Sequence, residues 1–446
     1  MRICRASRNS SRKANKIMPE EKKQLDTSAF QNLIDTMFKS EKGTEKTGSA
    51  LEKNSLFKST ASKLKGNNFS DFFASLKNRF SIKKSSELIV GLDIGTSAVK
   101  CAVFFYREGD LRLVSLDIEE IPHEHFESAS RPEVVKNKIR ALQSRHAVKG
   151  KVLFTANLPN LLTELMYMPV MPQEELDKAI RWQAREKLLV DEETYIIDYL
   201  LLGEANVAQQ AEKKILFFAV PRKDILEYYY LLSSLGLKIQ AIRPNFLAIF
   251  QAFENKSLWR DDEAVGFLDI GAGSSQFSII TGGYVHFNRR LDVSGDSLTR
   301  SVADYCQLSY EEAEKYKKEI GISKMALEED RKEGNVAEQP RVRISHAIGL
   351  HLDRLITEIQ HTFNYYSFEV SNAPLAKMDR LIVTGGGASL AGLCDFFKSR
   401  LNIPVDVYNP LNYIQSAGRR FEPSLATDNN SSRFSAAIGL AVSSRV

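Results

Sequence analysis

Two stretches carry residue types that could hold an anion. The first is LIVGLDIGTSAVKCAVFF, residues 88–105. The second is EAVGFLDIGAGSSQFSIITGGYVHFNRRLDV, residues 263–293. Each places Asp-Ile-Gly at the end of an apolar run, then a turn of small residues, then a second apolar run. Small residues let a ligand approach the main chain, and the fixed amide dipoles of such a turn favour negative charge. The first turn is Gly95-Thr96-Ser97-Ala98, and the second stretch repeats the layout with its own turn of small residues. Asp93 and Asp269 close the strands, and carboxylates there suit Mg²⁺, which prefers oxygen ligands and keeps several waters. Lys100 could bring a point charge to the terminal phosphates, or could be a surface lysine on the outward face. A third cluster, Gly385-Gly386-Gly387, follows the apolar run RLIVT and could approach the nucleoside side of the same ligand. Taken singly, each triplet could also be an ordinary turn.

The glycine turns sit between two strands. Dinucleotide-binding and P-loop sites instead need a glycine-rich loop that opens a helix, and neither GxGxxG nor GxxxxGK[ST] occurs in that setting. Asp93 and Asp269 lie 176 residues apart in equivalent surroundings, which marks an internal duplication at domain scale. Two such turns facing each other would grip a triphosphate from both sides. The second stretch adds a Gly282-Gly283 hairpin and a third strand.

Helical signals separate the strands. Residues 172–189 open with Pro and acids, residues 222–236 end in Gly, and residues 341–367 set Leu352, Leu355, Ile356, Ile359, Phe363 and Tyr366 on one face. Residues 323–340 show no periodicity and read as a loop. Alternating strands and helices predict an α/β fold that begins near Glu87.

The chain has 446 residues, enough for two or three cores, with 43% hydrophobic residues. No run of about 18 apolar residues predicts a membrane span. Its four cysteines are scattered and form no CxxC, as expected of a reducing compartment. His123 and His125 form an HxH that reads as a solvated loop rather than a metal site. Residues 1–88 carry 19 Lys+Arg against 9 Asp+Glu, and the remainder 42 against 47. The segment 1–86 therefore reads as a basic, mostly disordered extension, although such a tail could also touch anionic lipid or nucleic acid. Residues 1–17 read either as part of a transit segment or as sequence upstream of a start at Met18. Within it, Phe69, Phe72, Phe73, Leu76 and Phe80 make an amphipathic face that could dock on the body, lie on a membrane or grip a partner.

Strand–Asp-Ile-Gly–hairpin twice, then VTGGGA, resembles the signature set of the actin/heat-shock/hexokinase ATPase superfamily over about residues 87–446. Within it, the stretches VGLDIGTSAVKCAV, MPVMPQEELDKAIRWQAREKLLVDEETYIIDYLLLG, FLDIGAGSSQFSII, LSYEEAEKYKKEIG, LIVTGGGASLAGLCDFFKSRLNIPVDVYNP and FSAAIGLAV resemble the PilM family, actin-like proteins of type IV pilus assembly related to the division protein FtsA.

The resemblance implies a duplicated actin-like (ribonuclease H-like) fold. Its first lobe would span 87–260 with an inserted small subdomain at about 165–240. The second would span 261–446, with the C-terminal helix returning to the first lobe and Ala437 and Gly439 permitting close helix contact. It implies ATP and Mg²⁺ as ligands, with Asp93, Gly95, Thr96, Ser97 and Lys100 as the first phosphate motif and Asp269, Gly271, Gly273 and Ser274 as the second. Gly385, Gly386 and Gly387 would form the adenosine motif, and Glu314 and Lys317 would flank ribose and adenine. The metal would be held by Asp93 and Asp269, chiefly through water, and Asp269 would assist catalysis.

One departure stands out. Heat-shock-type members place a glutamate before the inter-lobe proline, and this chain has Arg243-Pro244-Asn245. Tight binding and slow hydrolysis are therefore expected.

The implied role is a cytoplasmic scaffold of pilus or related secretion assembly, held at the inner membrane by the N-terminal tail of a PilN-like single-pass protein. Self-association through the insert and contacts with other pilus proteins are further implications, and no nucleic-acid partner is expected. An FtsA-like division protein is disfavoured because the chain ends at AAIGLAVSSRV with no amphipathic membrane helix. A sugar kinase would need a general base facing an acceptor hydroxyl, for which no motif is visible.

Overall fold

The computed structural model describes residues 87–107, 110–145, 150–207, 210–253, 260, 262–323, 339–370, 377–414 and 428–445. The expectations for the extension 1–86, its amphipathic face 69–80 and most of the loop at 323–340 lie outside the described residues.

Two five-stranded sheets share one topology. The first runs β3-β2-β1-β4-β8 and is built from β1 (Glu87–Ile94), β2 (Ala98–Arg107), β3 (Asp110–Glu120), β4 (Lys151–Ala156) and β8 (Lys238–Ile242). The second runs β11-β10-β9-β12-β13 and is built from β9 (Ala264–Ile270), β10 (Ser275–Thr281), β11 (Tyr284–Leu291), β12 (Arg380–Thr384) and β13 (Val405–Val407). In each, an antiparallel meander supplies three strands and two more join in parallel. β1 and β9 are central, which explains why ELIVGLDI and AVGFLDI are apolar on both faces rather than alternating. The matching order is the duplication in three dimensions.

A third sheet, β5-β7-β6, comprises β5 (Leu162–Pro169), β6 (Tyr195–Val207) and β7 (Gln210–Pro221). It has its own small core, in which Leu176, Ile180 and Ala184 of α2 (Gln173–Leu188) pack on Met166, Ile215 and Phe217. The insert was expected at about 165–240, and the third sheet itself covers 162–221. Past it, α3 (Arg222–Ser233) leads into β8, which pairs with β4 in the first sheet.

Helix α1 (Arg131–Arg145) covers the first sheet, and α4 (Asn245–Ala252) begins where the first half hands over to the second. In the second half, α5 (Gly295–Cys306) and α6 (Tyr310–Ile320) each start with a capping box, Ser294 with Ser297 and Ser309 with Glu312. Helix α7 (Pro340–Tyr365) buries Leu352, Leu355, Ile356, Ile359 and Phe363, and Tyr366 just past its end is buried with them. Helix α8 (Leu393–Leu401) follows β12 after a short 3₁₀ turn, Gly386–Ser389.

The last helix, α9 (Ser435–Val442), crosses back to pack on α4 and β1. Glycines on both partners allow that approach. A Cβ on Gly439 would lie 1.7 Å from the carbonyl oxygen of Ala248, and one on Gly91 would lie 1.8 Å from that of Ala437.

Among the described residues no helix is long and apolar enough to cross a membrane.

Candidate functional site

Strands β1 and β9 end at one cleft between the lobes, with a volume of about 530 Å³. That lies within the usual range for small-molecule sites, roughly 300–1,000 Å³. The fold brings every residue expected to contact nucleotide or metal to this cleft: Asp93, Gly95, Thr96, Ser97, Lys100, Asp269, Gly271, Gly273, Ser274, Glu314, Lys317 and Gly385–Gly387.

The two glycine turns close alike. The Gly95 amide donates to the Ala98 carbonyl at 3.0 Å, and the Gly271 amide donates to the Ser274 carbonyl at 3.1 Å. The turns also meet, since a Cβ on Gly273 would lie 2.5 Å from Thr96 Oγ1. Gly385 joins them from β12. It adopts φ +83°, and a side chain there would run into Asp269, with Oδ1 2.2 Å from the ideal Cβ.

Hairpin register sets the charges. Lys100 lies directly opposite Asp93, and its Nζ donates to Asp93 Oδ2 at 2.7 Å. Lys100 therefore points into the cleft, not outward. The equivalent position opposite Asp269 is Gln276. Its Oε1 is buried at the cleft wall with no hydrogen-bond partner among the described residues.

Asp269 receives the side-chain amide of Asn245, Nδ2 to Oδ2, at 3.0 Å. Burial pushes its pKa up to about 6, with Asp93 adding to the rise and Lys100 and Asn245 opposing it. Asn245 is thus the inter-lobe residue that reaches the site. An amide orients a carboxylate but cannot accept a proton from water.

On the far wall, Glu314 and Lys317 form an ion pair at 2.6 Å. Lys317 Nζ also donates to the Gly295 carbonyl at 2.8 Å and to Thr299 Oγ1 at 2.6 Å, while Thr299 bonds Glu314. Burial alone would raise the Glu314 pKa, but Lys317, Thr299 and Lys318 outweigh it and bring it to about 2. Burial pulls Lys317 below the ordinary ammonium value, with Glu314 opposing that shift.

The HxH pair has no buried residue. His123–His125 is a 3₁₀ turn in which His125 Nδ1 and Ser130 Oγ lie 3.0 Å apart, and His123 stacks on Tyr310 of the other lobe. Among the described residues no group of three or more His, Cys, Asp or Glu side chains is assembled to hold a metal.

Sequence reading marked Asn245 only as part of the inter-lobe departure, and missed Gln276, Tyr310 and Arg131. A register argument could have found Gln276, because it is seven residues past Asp269, as Lys100 is past Asp93. The others carry no local signal.

Two lobes of one topology, closing on paired glycine turns with a third glycine cluster beside them, define the actin-like fold class. The chain belongs to the type IV pilus assembly protein PilM family, whose model matches residues 91–445. Among solved structures, a PilM-PilN type IV pilus biogenesis complex aligns with a TM-score of 0.63 at 22% identity, over 80% of this chain and 98% of that one. Ethanolamine utilization protein EutJ from Carboxydothermus hydrogenoformans aligns with a TM-score of 0.42 at 13% identity, over 84% and 99%. MreB 5 of Spiroplasma citri bound to AMPPNP aligns with a TM-score of 0.38 at 14% identity, over 79% and 95%.

Proposed function

We propose that the cleft binds MgATP and that the chain acts in pilus assembly as a nucleotide-responsive scaffold for the cytoplasmic tail of a PilN-like membrane protein. The observation that carries the nucleotide half is the contact between the two glycine turns, Thr96 against Gly273. It brings the two turns to one space between the lobes, where main-chain amides of such turns favour an anion. The partner half is supported by family membership and by the PilM-PilN complex, which has the same fold.

In this reading the turns Gly95–Ser97 and Gly271–Ser274 take the phosphates, chiefly through the amides beyond Gly95 and Gly271, which are already bonded within their turns. Lys100 is shared between Asp93 and the terminal phosphates. Gly385–Gly387, Glu314 and Lys317 take the nucleoside. The donor set fits a hydrated Mg²⁺: Asp93 and Asp269 offer carboxylates, and the unpartnered Gln276 Oε1 offers a neutral oxygen. When bound, such an ion supplies positive charge against the phosphates. Asn245 holds Asp269 in place, and no group at that position removes a proton from water. Hydrolysis is therefore slow, and the useful output is the lobe equilibrium, which shifts by as much as ATP discriminates between its two states. We take 87–260 and 261–446 as the lobes that move, with the insert carried by the first. The protein sits at the inner membrane through its partner.

The test is thermal unfolding with and without MgATP. Ligand at 100 times its Kd adds about 2.7 kcal/mol of stability. A wild-type midpoint unmoved by millimolar MgATP overturns the nucleotide reading. The partner reading is tested with a synthetic peptide of the N-terminal tail, whose affinity should differ between the MgATP-bound and free protein by the same factor in both directions of the linkage.

A further inference from the structure

The two phosphate turns are held from behind in different ways. In the second lobe, the first amides of α5 do the work. Gly295 N donates to the Gly271 carbonyl and Asp296 N to the Ala272 carbonyl, each at 2.9 Å. In the first lobe the matching carbonyls are those of Gly95 and Thr96. There the donors are the two terminal nitrogens of one guanidinium: Arg131 Nη2 to the Gly95 carbonyl at 2.8 Å and Nη1 to the Thr96 carbonyl at 2.9 Å. Arg131 is the first residue of α1, as Gly295 is the first of α5.

A side chain has replaced a helix N-terminus, and it brings a full charge with it. That charge sits where it is otherwise unfavourable. It lies at the positive end of the α1 dipole, it is half-buried, and no carboxylate pairs with it among the described residues. Burial pulls its pKa below the ordinary guanidinium value. A neutral donor would satisfy the two carbonyls equally well in hydrogen-bond count. The added feature is positive potential directly behind the first turn. With the carbonyls drawn back toward the guanidinium, and the Gly95 amide bonded to the Ala98 carbonyl, the amides of Thr96 and Ser97 are left for the cleft.

We propose that Arg131 is a positioning residue for the first phosphate turn, orienting its amides and adding positive potential to the half of the cleft that grips the terminal phosphates. The inference rests on the nucleotide reading above. It adds that the two half-sites are electrostatically unequal, the first being the more charge-selective.

The experiment compares wild type with Arg131→Lys, Arg131→Gln and Arg131→Met for binding of MgATP and of uncharged adenosine, across a series of salt concentrations. Wild-type binding of MgATP is the control for the nucleotide reading, and its absence sinks that reading before the variants are considered. Given wild-type binding, Arg131→Gln, which keeps a donor but loses the charge, should bind MgATP about tenfold more weakly, on the scale of one charge-assisted contact. Its adenosine affinity should stay within about twofold of wild type, and its dependence of MgATP affinity on salt should flatten. Arg131→Lys should recover most of the loss. Arg131→Met removes donor and charge together and should lose more than Arg131→Gln. If Arg131→Gln or Arg131→Lys melts lower yet binds MgATP with wild-type affinity and salt dependence, the residue is only structural and the proposal is overturned. Equal loss for adenosine and MgATP overturns it as well. Should Arg131→Met fail to fold, the Gln and Lys variants decide between these outcomes.

Discussion

The imidazole of His123 lies face to face on the phenol ring of Tyr310, with ring centroids 3.6 Å apart and planes 14° from parallel. His123 follows β3 of the first lobe, and Tyr310 opens α6 of the second. Tyr310 also donates to Asp296 Oδ1 at 2.9 Å. Helix α6 carries Glu314 and Lys317 as well, so the stack ties the first lobe to the element that would hold the nucleoside. A second bridge, Arg433 to Glu120 at 2.6 Å, joins residues of the same cleft from opposite lobes. The cleft in this structure is bridged on both counts.

Loss of the stack should loosen the contact between the lobes. An aromatic pair contributes about 0.5–1.5 kcal/mol beyond area burial. Tyr310→Ala and His123→Ala should each speed release of a fluorescent ATP analogue several-fold, and the double variant should add little to either single. Stopped-flow displacement measures this. Additive effects of the two changes would mean that the rings do not act as a pair.

Asp93→Ala should weaken MgATP binding by on the order of 1–3 kcal/mol, the scale for a charge-assisted contact. It should also lower the melting midpoint of the free protein, because Lys100, whose side chain is 17% exposed, loses its partner. Titration calorimetry and thermal unfolding read the two effects separately. Unchanged affinity would remove Asp93 from the site.

Glu314 supplies a pH signature. Its pKa in the folded protein, about 2, lies below the ordinary value of 4.5. The folded state therefore binds fewer protons than the unfolded one between these values, and stability rises with pH there. The contribution is present above about 4.5 and is lost as pH falls toward 2. Glu314→Gln should thus be less stable than wild type at pH 7, with the gap narrowing as pH drops below 4.5. Urea midpoints at pH 7, 5, 4 and 3 measure it, and a gap independent of pH would show that the Lys317 pair contributes nothing.

Gly439→Val should be severely destabilising. The Cβ alone would lie 1.7 Å from the main-chain oxygen of Ala248, an atom that cannot swing away. Overpacking of a tight core costs typically 1–3 kcal/mol, and a main-chain clash between α9 and α4 belongs at or above the top of that range. Denaturant unfolding checks this, and a loss under about 0.5 kcal/mol would mean that the two helices do not pack as described.

Much of the site is legible in the chain itself. The paired strand–turn–strand units, the third glycine run and the helical face of α7 are each written in residues a few positions apart. Local periodicity and turn chemistry depend on near neighbours, so short windows of sequence carry them. Lys100 and Gln276 follow from the same logic, because a hairpin of known turn dictates who faces whom.

Other features depend on which surfaces packing brings together. Asn245 reaches Asp269 across 24 residues, Arg131 reaches Gly95 across 36, and Arg433 reaches Glu120 across 313. None of these separations carries a period or a propensity. The HxH shows the limit best. Its residue types and spacing are plain in the sequence, yet only the packing of one lobe on the other sets His123 against Tyr310. Sequence alone determined two like units with anion-ready turns. The tertiary structure decided that the turns touch, that a guanidinium backs one and a helix N-terminus the other, and which side chains bridge the lobes. Local backbone preference specifies each hairpin, whereas long-range packing selects the partners of its turn.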